Sequence, residues 1–194
     1  MTKRVSTAEA IAKRNAAFAK LDPAAKRVVV AKDVLAALNA KRITAKHNTY
    51  GQFFLDYNLP YETRIGAIAS DAQQLLLQGQ IDCTVCAIGA IFTCAVERIN
   101  KLTFDEMRSM GKKRMAGYMA EFFSAEQLDL IECAFERTAE HVKSKRYVTR
   151  NPLVDTTADD ELRRACAFDA PYAAEPRMRA IMTNIIANKG TFIP

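Results

Sequence analysis

Residues 85–96 read VCAIGAIFTCAV, a run without charge in which Thr93 is the one polar side chain. A helix at a protein surface shows a single apolar stripe, whereas a segment apolar on all sides must be buried on all sides. A bilayer span needs about 20 apolar residues, so this run is too short to be one. It predicts a buried central helix over about residues 84–100, with the rest of the chain packed around it.

Working outward, the composition favours helices. The 194 residues are 49% hydrophobic and 26% charged, which excludes a disordered chain and leaves enough apolar material for one core. Seven glycines and six prolines interrupt an alanine-rich sequence, and alanine prefers helix to sheet. The expected fold is mainly α: a single compact helical domain around the buried helix, with at most short extended segments near residues 42–50. The opening MTKRVSTAEA is basic, but no apolar stretch follows it and no later segment could span a membrane. A cytoplasmic protein is expected. Its five cysteines are then read as reduced thiols rather than as a disulfide framework.

Local signals place the helices. Ser6 and Glu9 have the spacing of a capping box. Asp22 followed by Pro23 marks a second helix start, and Val30, Val34 and Leu38 recur along it at helical spacing. Residues 42–50 alternate and end at Tyr50-Gly51, so a short strand is expected there. Residues 63–77 read as one helix, Thr103 restarts another, and Ser124 with Gln127 gives a second capping box. Thr157 is expected to cap the helix that follows it. The last helix carries the stripe Met178, Ile181, Met182, Ile185 and Ile186, with Gly190 as its left-handed C′ residue.

Charge is unevenly placed. Residues 1–46 hold eleven Lys or Arg against three acids, whereas the remaining residues hold 17 against 19. A basic N-terminal helical region (1–46) is therefore distinguished from a helical core (47–194), the two forming one structural unit. Lys41, Arg42 and Lys46 flank the extended segment that ends in Tyr50. Lys143, Lys145, Arg146 and Arg150 form a second cluster around Tyr147. Basic groups interleaved with aromatics can follow a phosphate backbone and stack on bases. A solvated surface of Lys and Arg explains the same pattern without a partner.

Cys83 and Cys86 form a C-x-x-C at the expected start of the central helix. Helix N-termini lower thiol pKa values and can make them reactive. A structural zinc site needs four ligands, and no second C-x-x-C or paired histidine completes one here. The plainer reading is that these are small buried hydrophobes. His47 and His141 stand apart from any nucleophile motif, and no phosphate-binding loop or dinucleotide fingerprint occurs. No cofactor is expected, and an enzyme is the less favoured class.

Cys86-Ala87-Ile88-Gly89-Ala90, with the closing residues IMTNIIANKGTFIP, resembles a group of small helical proteins of bacteria and their phages that carry a C-A-x-G-A element. The resemblance implies a helical fold and a bacterial or phage origin, and supplies no activity. Three functional readings follow. The first is a non-enzymatic interaction protein with a protein partner, of the phage-type regulator or host-directed factor class. The second is nucleic-acid binding through the N-terminal region and the 143–150 cluster. The third is a thiol- or metal-dependent enzyme at Cys83 and Cys86.

Overall fold

The computed structural model describes residues 7–56, 58–99, 101–136 and 156–194. The chain is mainly α with a small sheet. Helix α1 (Thr7–Ala19) and helix α2 (Pro23–Asn39) lead to strand β1 (Ile43–Ala45) and strand β2 (Gly51–Leu55). Two short helices, α3 (Tyr61–Ala67) and α4 (Ala72–Leu77), precede strand β3 (Ile81–Val85) and helix α5 (Ala87–Ile99). Helices α6 (Phe104–Arg108), α7 (Lys112–Met119) and α8 (Ala125–Glu136) follow, and α9 (Thr156–Cys166) and α10 (Ala174–Ala187) close the fold.

Helix α5 is the centre. Each side chain from Val85 to Val96 is buried, as a run apolar on all sides requires. Helices α1, α2, α4, α7 and α8 pack against it, and β1 and β3 lie beside it. Cys86, Ala90 and Cys94 form a small-residue stripe at helical spacing, and all three are covered by the chain itself. Helix α2 starts as its sequence demands, with Asp22 accepting from the Ala25 N–H at 2.8 Å and Pro23 in the first turn. It lays Val30, Val34 and Ala37 against α5 and α10.

The central helix begins at Ala87 rather than near residue 84, because the residues before it are in a strand. In β3, Ile81, Cys83 and Val85 point into the core while Asp82 is exposed, the alternation of a half-buried strand. The sheet order is β1-β3-β2, with β1 parallel to β3 (Ile43 opposite Cys83) and β2 antiparallel to it (Phe53 opposite Cys83). Strands therefore extend beyond the 42–50 segment, at 51–55 and 81–85.

Three boundaries also differ from expectation. The single helix expected over 63–77 is two helices, because Asp71 caps a new start by accepting from the Gln73 and Gln74 N–H groups. Helix α9 starts at Thr156, ahead of the expected Thr157 cap. At the end of α10, Asn188 is the C-cap, and Lys189 and Gly190 are both left-handed, so Gly190 stands one place beyond the expected C′ position. The Ser124 hydroxyl accepts from the Gln127 N–H at 3.3 Å, but the Gln127 side chain turns away to bind the Phe192 backbone. The full capping box is at Thr103 and Glu106. Ser6, and with it the first capping box, lies outside the described residues.

Candidate functional site

Among the described residues, Lys41, Arg42 and Lys46 do not share one solvent-facing surface. Lys41 and Lys46 are exposed. Arg42 is turned inward, its guanidinium paired with the nearly buried Glu97 carboxylate in the last turns of α5. Three other basic groups of the first 46 residues are also committed internally. Arg14 donates to the Glu97 carbonyl, Lys26 pairs with Glu121, and Arg27 donates to the Gly190 and Phe122 carbonyls. Together with the Arg98–Asp33 pair at 2.7 Å, Arg14 and Arg42 gather positive charge at the carboxyl end of α5, where the helix dipole and the orphan carbonyls favour it. Four of the nine described basic residues of this region therefore help hold the fold together. Lys13, Lys20, Lys32, Lys41 and Lys46 remain exposed. Lys143, Lys145, Arg146 and Arg150 lie outside the described residues.

Tyr50 is not a free stacking platform. Its hydroxyl donates to Glu132 on α8 at 2.7 Å, and Lys112 on α7 pairs with the same carboxylate and with Asp129 at 3.3 Å. Burial, the hydrogen bond to Glu132 and the charge of that carboxylate push the phenol well above its ordinary pKa. Burial works to lower the Lys112 pKa, but the Glu132 contact outweighs it and holds the ammonium charged. One turn along α8, Glu136 accepts from the Asn48 N–H at 2.9 Å. His47 is stacked between Phe135 and Tyr172, with Nε2 3.0 Å from the Tyr172 carbonyl. This network pins the 47–50 loop to α8. A protonated phenol and a charged amine fixed on one carboxylate leave neither poised as a general base near neutral pH.

Cys83 and Cys86 face different surroundings. The Cys83 thiol donates to the Ile81 carbonyl and senses Glu97 and Asp82. The Cys86 thiol contacts the Tyr50 carbonyl and senses Glu136 and Glu132. Burial pushes both thiols up to about 12, although the Gly89 and Ile88 N–H groups at the start of α5 act to lower Cys86. Desolvation thus outweighs the helix N-terminus, and both cysteines are protonated thiols at neutral pH. Among the described residues, no group of three or more His, Cys, Asp or Glu side chains converges as a metal site would require.

An open concave feature lies elsewhere, between α1 and α4. It has a volume of about 570 Å³, within the range of binding clefts. One wall is the stripe Ala8, Ile11, Ala12 and Asn15, at helical spacing along α1; the other carries Gln74 and Leu77 of α4 and its C-cap Gln78. Its floor is fixed to the central helix: Asn15 donates to the Gln73 side chain at 3.2 Å, and Gln73 donates to the Glu97 carbonyl at 2.8 Å. The groove is small-residue and apolar on one side and amide-rich on the other. Sequence reasoning missed it because alanines and glutamines at helical spacing read as an ordinary exposed face. Its only sequence trace is Ile11, a branched apolar residue on an otherwise small and polar stripe.

No protein family, curated protein or solved structure matches the chain.

Proposed function

We propose that the protein is a non-enzymatic macromolecular-interaction factor, of the phage-type regulator or host-directed class, that receives an amphipathic helix of a protein partner in the α1–α4 groove. The observation that carries this reading is the groove itself, an open cleft between two helices whose walls are apolar and amide side chains. A third helix entering between two others places apolar anchors at i, i+3, i+4 and i+7 against small residues, and Ala8 and Ala12 leave room for them. Glutamine amides along the rim supply both donors and acceptors to a partner's polar edge. A cytosolic partner is part of this proposal; no helix among the described residues is long and apolar enough to cross a membrane.

The test is a photo-crosslinking amino acid placed at Ala12 or Gln74, both exposed, and at Thr183 on the remote α10 as control. Surface substitutions of this kind usually change stability by less than about 0.5 kcal/mol, so folding is retained. The expected result in cells of the native host is a nuclease-resistant adduct of one discrete mass from Ala12 and Gln74, lost on adding Leu77→Glu. Equal labelling from Thr183, or no adduct from either groove position, removes the reading.

A second reading, binding of nucleic-acid phosphates, is supported by the exposure of Lys41 and Lys46 on either side of β1. Each phosphate contact on a duplex contributes about 0.9 to the slope of log affinity against log salt. With Arg42 turned onto Glu97, the Lys41→Gln, Lys46→Gln double variant should flatten that slope by about two units at most. Arg42→Gln should leave the slope unchanged and lower stability instead, because Glu97 loses its ion-pair partner. Fluorescence anisotropy with a labelled duplex across a salt series reads both effects. Absence of binding by the wild type at about 50 mM salt eliminates this reading.

A further inference from the structure

We propose that Cys133 on α8 and Cys166 on α9 form an oxidative modification site, a dithiol that hydrogen peroxide converts to an intramolecular disulfide. Helices α8 and α9 pack against one another, and Cys166 lies beside the Cys133 thiol across that interface, near enough to bear on its proton. The two sulfurs differ in access: Cys133 is buried, whereas Cys166, the last residue of α9, is half-exposed. Cys83, Cys86 and Cys94 are all buried around β3 and the central helix. Of the five cysteines, the α8–α9 pair thus combines a solvent-accessible sulfur with a neighbouring thiol able to resolve it.

The order of events follows from access and proton affinity. Burial, with the adjoining Cys166 sulfur next, pushes the Cys133 thiol up to about 12, so Cys133 waits as the protonated partner. The Cys166 thiol gives up its proton to water, and its thiolate attacks one peroxide oxygen. The O–O bond breaks, the departing hydroxide takes up a proton to become water, and Cys166 carries a sulfenic acid. The Cys133 sulfur then attacks the Cys166 sulfur. The S–S bond forms, the S–O bond breaks, and the leaving hydroxide takes the Cys133 proton. The sum is two thiols and one peroxide giving one disulfide and two waters. The cross-link ties the second half of α8 to the end of α9, and a dithiol reductant reverses it by exchange.

The experiment uses the full chain, reduced, freed of reductant, treated with hydrogen peroxide, then denatured and alkylated for thiol counting and peptide mapping. Free thiols should fall from the five of the reduced chain to three, with the missing two in a single Cys133–Cys166 linked peptide. Dithiothreitol should restore all five. Cys166→Ser, made at the half-exposed position, should keep its four remaining thiols at the same dose. Cys133→Ser, checked for folding by circular dichroism, should accumulate a dimedone-reactive sulfenic acid at Cys166. If Cys133→Ser does not fold, the wild-type mapping and Cys166→Ser decide the question alone. Retention of five thiols by the wild type overturns the proposal. So does a linkage joining another pair, or loss of two thiols from Cys166→Ser.

Discussion

Gly89→Ala should lower the thermal midpoint by roughly 6–12 °C, taking about 3 kcal/mol of overpacking and about 2–4 °C per kcal/mol for a chain of this size. The sign is what makes the substitution informative. In an ordinary helix interior, exchanging glycine for alanine gains up to about 1 kcal/mol, because alanine loses less backbone entropy. At position 89, however, a β-carbon would stand 1.6 Å from the Tyr50 carbonyl oxygen and 2.8 Å from its carbon. Both are backbone atoms, so no side-chain rotation relieves the clash. Tyr50 cannot readily retreat. Next to it the Thr49 carbonyl accepts the Cys86 N–H at 2.7 Å, its own hydroxyl is held by Glu132, and Gly51 pairs with Val85 in the sheet. Relief requires parting the 47–50 loop from the start of the central helix, which breaks the β2–β3 register or the α8 network. Leucine at 89 should be at least as damaging. A melting curve of Gly89→Ala that is unchanged or shifted upward would mean that the Tyr50 carbonyl does not lie on Gly89.

The same junction shows how far local sequence reaches. Residues 85–96 announce their burial because no rotation of a helix offers them a polar face, and Asp22-Pro23 announces a helix start through its own atoms. Strand β3 carried its signal too, with Ile81, Cys83 and Val85 alternating with Asp82 and Thr84. That five-residue alternation runs directly into an apolar helix, so its period of two is overwritten by the longer pattern, and Asp82 takes on the look of a helix cap. The charge excess of the first 46 residues is countable, but its disposition is not. Whether Arg42 meets solvent or Glu97, 55 positions away, depends on how β1 sits beside α5. Tyr50 illustrates the same limit, since its hydrogen-bond partner Glu132 is 82 residues distant. The groove was hidden for a different reason: alanine and glutamine mark neither a core nor a site by their chemistry, and only the separation of α1 from α4 turns them into walls.

Arg177 is the other position where an ordinary-looking residue should have a large effect. It stands one place before Met178, the first member of the apolar stripe of α10, and from sequence it belongs to the solvated face. In the fold it has no exposed surface. Its guanidinium donates to the Ala134 carbonyl, to the Ala170 carbonyl at 2.9 Å and to the Phe168 carbonyl at 3.1 Å. Ala134 is in the last turn of α8, where carbonyls have no partner within the helix, and Phe168 and Ala170 belong to the bend between α9 and α10. One planar, forked donor thus closes the end of one helix and the connection between two others, a task that suits arginine and not lysine. Arg177→Met keeps a similar apolar stem and removes every donor. Each buried acceptor left without a partner costs about 1–3 kcal/mol, so the two buried carbonyls of Ala134 and Ala170 set the expected loss at roughly 2–6 kcal/mol, and the half-buried Phe168 carbonyl adds to it. Whole domains are stable by only about 5–15 kcal/mol, so the variant should be marginally folded or unfolded at 37 °C. Arg177→Lys should recover only part of the loss, because one ammonium on a flexible stem cannot reach all three carbonyls in the fork geometry. Urea unfolding of both variants, followed by circular dichroism, gives the comparison. Stability of Arg177→Met within about 0.5 kcal/mol of the wild type, the range of ordinary surface substitutions, would place Arg177 outside the core and dissolve the bridge between α8 and the α9–α10 bend.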